Sequence, residues 1–225
     1  MLYALAHPLA FVVLLGSYVA GVTLHGWVQA LTASRFGDAR LRLEHRTAPD
    51  PRRHIDPFGA VAAAIAGLGW TLPVTYPDRR RRLQVITVAL IGPAVNVVLG
   101  LGLLVAFRIA YGPVGIGAPA LLLQRGTGTD GHPVELALLL VGLSQLYLGA
   151  LSLLPLPPLD GGRLLFALAR STPGWQRAEF RLVEQNIGVG VLLALLLIPL
   201  GGPQPLLPQL LDTVLAPVVR LVTGG

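Results

Sequence analysis

Apolar residues gather into runs at roughly 8–33, 55–74, 84–107, 134–156 and 186–201, with a weaker amphipathic stretch near 205–223. A bilayer-crossing helix needs ~20 such residues, so the pattern predicts an all-α polytopic membrane protein. The run at 55–74 departs from it. Gly59, Gly67, Gly69 and Pro73 make it a poor lone helix, and broken backbone survives at membrane depth only against protein or water. This run is predicted to enter the membrane and return on the same side. The whole chain, 1–225, reads as a single transmembrane domain, with a core at about 8–201 and an appended amphipathic segment at about 205–223.

The charges support the same topology. Hydrophobic residues make up 53% of the chain and charged ones 12%, with a mean hydropathy of +0.68 and a net charge of +6 carried without any lysine. If 55–74 returns, the ten arginines between Arg35 and Arg82 share one side with Arg163, Arg170, Arg177 and Arg181, leaving Arg108 and Arg125 opposite. That asymmetry follows the positive-inside tendency, as expected of a multi-pass membrane protein. Because the arginines lie between apolar runs, they point to lipid headgroups and away from nucleic acid. Without cysteine, a disulfide, a thiolate ligand and a cysteine nucleophile are all excluded. No Lys or Arg precedes Arg35, so the first run is not expected to be an ordinary signal peptide.

Polar residues inside these runs carry the candidate chemistry. Ser17, Gly21, His25 and Gln29 recur every four residues and share one helix face. Such a stripe serves either as a small-residue packing seam or as the wall of a site, and an intramembrane histidine is costly without a partner. The fourth run ends in Leu154-Pro155-Leu156-Pro157-Pro158-Leu159-Asp160-Gly161-Gly162, where the prolines break the helix and present Asp160, as a helix cap or as a functional carboxylate. The arginine topology sets His25 and Asp160 toward the same side. His54-Ile55-Asp56-Pro57-Phe58-Gly59 opens the re-entrant run; His54 is either a ligand or a surface histidine beside Arg52 and Arg53. Gly92-Pro93-Ala94-Val95-Asn96 lies in the third run, where Pro93 is expected to kink the helix and Asn96 to need an interhelical hydrogen bond. Trp70 and Tyr76 read as markers of interface depth.

In order and spacing these segments resemble the site-2 protease family of intramembrane zinc metalloproteases, in its compact prokaryotic branch. The corresponding stretches are His25 to Gln29, Gly37-Asp38, His54 to Gly59, Gly92 to Asn96 and Ser152 to Gly161. The resemblance implies a helical bundle in which two histidines and an aspartate hold zinc and a glutamate activates water. Carried onto this chain, His25 and Asp160 remain as ligands, Gly26 stands at the general-base position and Gln29 at the second histidine. Gln29 or His54 is left as the candidate for a third donor. A catalytic zinc keeps three protein ligands and an open position, and general-base catalysis contributes ~10²–10⁴-fold. The expectation is therefore a catalytically impaired member that binds a transmembrane client, with Pro93, Asn96, Pro157 and Pro158 along its groove. The alternative is an active zinc metalloprotease with a non-standard base and ligand set.

Overall fold

Pro8 sits at the first helical position, where its missing N–H costs nothing, and the uncharged run behind it forms α1, Pro8–Arg35. The computed structural model describes residues 2–74, 81–125, 133–169, 172–199 and 205–225; Tyr76, Arg79, Arg80, His132 and Arg170 lie outside them. Gly37, with φ +102°, turns the chain after α1 into the short α2, Arg40–Leu43. Asp38, of the Gly-Asp pair, bonds the backbone and guanidinium of Arg40 there.

The stretch 55–74 goes in and comes back. Asp56 caps α3, Pro57–Ala66, by accepting from the Gly59 N–H at 2.9 Å, with Pro57 next to it. Ten residues rise about 15 Å, half of a ~30 Å hydrocarbon layer. Gly67, at φ +77°, reverses the chain, and the return arm pairs Thr71 with Ile55 in an isolated antiparallel bridge. The two arms touch backbone to backbone at Gly59, Gly69 and Trp70. Trp70 is 1% exposed, so it does not mark an interface: it fills the hairpin beside Tyr18, whose hydroxyl donates to the Trp70 carbonyl at 3.3 Å. Arg46 clamps the arm from outside, bonding the carbonyls of Leu72 and Pro73 at 2.7 and 3.0 Å.

The third run forms α4, Arg82–Tyr111, and the fourth forms α6, Pro133–Ser152. These two helices pack at backbone contact through glycines. A Cβ on Gly100 would lie 2.5 Å from the Leu146 nitrogen, and one on Gly149 2.8 Å from the Pro93 carbonyl oxygen. Between them, α5, Pro119–Arg125, falls within the Gly- and Pro-rich connection and meets the α3 tip, where Leu123 abuts Gly67.

After the proline break come α7, Asp160–Leu168, and α8, Pro173–Glu179, which runs through a π-helical turn, Phe180–Glu184, to α9, Ile187–Leu197. Here the fifth run departs from expectation. Asn186 takes a left-handed conformation (φ 55°), the helix bends by 65°, and α9 has only 11 residues. Its end is set by Pro199, because a residue before proline is driven out of the helical region and Ile198 is extended. By contrast, α10, Leu206–Thr223, is long and apolar enough to cross a membrane, as are α1, α4 and α6. Leu207, Leu211, Leu215 and Val219 bury its inner face, while Leu210, Val214 and Leu221 are exposed. At mid-helix, Asp212 accepts from the Ala120 N–H and the Tyr147 hydroxyl, tying α10 to α5 and α6. Arg108 bonds the Leu221 carbonyl at 3.0 Å and so closes the far end of α10, where a cation also meets the negative end of the helix dipole. Residues described here thus form a helical, multi-pass membrane protein.

Candidate functional site

His25 and Asp160 are 135 positions apart and meet at 2.8 Å, Nε2 to Oδ2, with the imidazole 0% and the aspartate 3% exposed. The seam on α1 brings the ring there. Ser17, two turns earlier, accepts from the Gln145 side chain of α6 through both its carbonyl and hydroxyl oxygens at 2.9 Å. The small residue at Gly21 admits that glutamine, since a Cβ would lie 2.6 Å from its Oε1. On α4, Gly92 gives the ring its place, for a Cβ there would sit 2.5 Å from the His25 Nε2. One turn on, Asn96 Nδ2 reaches the His25 Nδ1 at 3.2 Å. The Gly-Pro-x-x-Asn segment thus supplies both the space for the imidazole and its second partner.

With the Asn96 amide nitrogen at Nδ1 and the Asp160 carboxylate at Nε2, the geometry fits an imidazole that donates from Nε2 and accepts at Nδ1. Both ring nitrogens are then engaged. Asp160 is the first residue of α7 and makes no side-chain cap there; its carboxylate is turned to His25 instead.

The two candidates for a third donor make other contacts. Gln29 lies one turn along α1, fully buried, with its amide 3.5 Å from the Ala89 carbonyl and its Oε1 without a partner. His54 is also fully buried, contrary to a surface residue; it donates from Nε2 to the Ala48 carbonyl at 3.0 Å and leaves Nδ1 unpartnered. Burial holds its pKa below the usual imidazole range. The bare nitrogen faces Gly26: a Cβ at that position would lie 2.6 Å away. Thr71 fixes this arrangement by donating to the His54 carbonyl at 2.9 Å or the Val22 carbonyl at 3.1 Å. Among the described residues, no third His, Cys, Asp or Glu joins His25 and Asp160 in a group that could hold a metal ion. His25 and Asp160 thus supply two donors of this class where a catalytic zinc keeps three protein ligands.

Of the groove candidates, Pro93 and Asn96 are buried on α4, and Pro157 lines a cleft against α7, α8 and α9. Sequence reasoning missed Gln145, Thr71 and Asp212. The signal for Asp212 was a carboxylate inside an apolar helix, which is costly unless it has partners.

Glutamate at position 26 has to displace His54 from its bond to Ala48. Gly26→Glu alone is expected to cost about 1–3 kcal/mol of stability, read as a lower melting temperature in detergent. A melting temperature equal to the wild type's would mean that the imidazole moves freely.

No family model matches the chain, and no solved structure does. Among curated proteins, it is 34% identical over 190 residues to YwhC of Bacillus subtilis, spanning 82% of this chain and 80% of that protein. It is 30% identical over 169 residues to Rip2 of Mycobacterium tuberculosis, spanning 70% of this chain but only 57% of Rip2. Both relatives bear names that describe candidate zinc metalloproteases.

Proposed function

Because the chain belongs to the site-2 protease family, we propose that it is a catalytically impaired member, acting by binding a transmembrane client rather than by cleaving it. One observation carries this reading: His25 spends both ring nitrogens on Asp160 and Asn96 while Gly26 offers no base. Bound zinc would supply a Lewis acid and an activated water. This chain's residues instead form a closed hydrogen-bonded cluster that holds α1, α4 and α7 together. Since the relatives are named as proteases, a polypeptide segment is the class of partner that a non-hydrolytic scaffold of this kind retains.

The test is reconstitution with single-span polypeptides. The expected result is saturable association with no cleavage sensitive to a zinc chelator, in the wild type and in Asp160→Ala alike. Cleavage by the wild type that disappears in Asp160→Ala would overturn the proposal. One feature favours a second reading, an active enzyme with an unorthodox base: the unpartnered His54 Nδ1 stands beside the place of the missing glutamate. That reading requires cleavage to be lost in His54→Ala as well.

A further inference from the structure

The helix pair at 173–197 leaves a cleft open to its surroundings. Pro155, Leu156, Pro157, Phe166, Leu182 and Val191 are among its walls, and its volume is about 180 Å³. Trp175 stands at the rim, 40% exposed, with its ring edge on Phe166 at 5.5 Å between centroids. The floor is rigid, because Gly188 brings α9 against the Pro157 carbonyl, leaving 2.6 Å to a Cβ built there.

The walls of the cleft are apolar throughout, which suits an acyl chain. The segment Pro173–Glu184 is too short to span, is bent 65° from α9 and exposes Trp175 and Phe180, as an interfacial amphipathic helix does. Arg177 and Arg181, one turn apart, are exposed on that same helix; Glu179 and Glu184 offset part of their field. We infer that this cleft binds an anionic phospholipid of the bilayer, with one acyl chain against Pro155–Pro157 and the headgroup at Arg177 and Arg181. The chain then packs on the segment that leads into Asp160, so lipid composition acts on the loop carrying that carboxylate. The inference stands apart from the client-binding reading and from whether the site is active.

Native mass spectrometry of the delipidated full chain, titrated with phosphatidylglycerol or phosphatidylcholine, tests it. The wild type is expected to prefer phosphatidylglycerol roughly tenfold, below the full effect of two surface arginines because of the neighbouring glutamates. Arg177→Gln with Arg181→Gln should reduce its affinity to the phosphatidylcholine level, and Val191→Phe, which fills the cleft, should reduce both. Ala178→Phe fills the same space and replaces Val191→Phe if that variant does not fold. Equal affinity of the wild type for the two lipids would overturn the proposal. So would a preference that survives the arginine substitutions, or binding that survives filling of the cleft.

Discussion

Gln29→His is expected to raise bound zinc from well below one to about one per chain, the largest gain that a single substitution offers here. Residue 29 lies one turn from His25 on the same face of α1, so two imidazoles can reach one metal beside Asp160. The position is prepared for a donor: it is fully buried, its oxygen has no partner, and its amide makes only a 3.5 Å contact that is lost at little cost. Binding at Nε2 moves the His25 proton to Nδ1, where the Asn96 amide has to turn its oxygen to accept it, and converts Asp160 from hydrogen-bond acceptor to ligand. Proteolysis should stay low in this variant, since Gly26 still supplies no base. Elemental analysis of the purified variant checks this. A folded Gln29→His protein without zinc would show that a side chain at position 29 does not reach a metal shared by His25 and Asp160.

Gly100→Leu is expected to cost about 3 kcal/mol or more and to prevent recovery of folded protein, whereas Gly102→Leu should be neutral. A Cβ on Gly100 would meet the Leu146 nitrogen at 2.5 Å and the Gly142 oxygen at 2.8 Å, both backbone atoms of α6 that no rotamer change can move. Gly102 has nothing within 4 Å of the same construction, and leucine there gains helix propensity. Between lipid and protein there is little hydrophobic drive for helices to associate, so close packing of small residues has to supply it. Comparing the thermal unfolding of the two variants checks the claim; equal melting temperatures would mean that the α4–α6 seam is not close-packed.

Much of this architecture can be read from the chain because its signals are local. The uncharged run at 8–33 and the apolar run at 84–107 each specify one helix, and glycines, a proline and the arginine count together identify 55–74 as a hairpin. The proximity of His25 and Asp160 follows from topology together with the proline break. What could not be read depends on register between distant helices. Nothing local distinguishes Gly92, which makes room for His25, from Gly102, which faces no neighbour. Nor does the order His54-Ile55-Asp56 reveal that Asp56 caps α3 while His54 turns its bare nitrogen on Gly26. The fifth run misled because apolarity continues to 201 while Pro199 ends the helix at Leu197. α10 was undervalued because Pro208, Asp212 and Pro217 dilute its apolar signal without breaking it.

The proposed function treats His25 and Asp160 as a hydrogen-bonded pair and not as two-thirds of a zinc site. The measurement that bears on it most directly is zinc content by elemental mass spectrometry of the chelator-free protein, wild type beside Asp160→Ala. Far less than one zinc per chain is expected in both, with the variant differing only in stability, by about 1–3 kcal/mol for the buried imidazole N–H left unpaired. One zinc per chain in the wild type that vanishes in Asp160→Ala would contradict it.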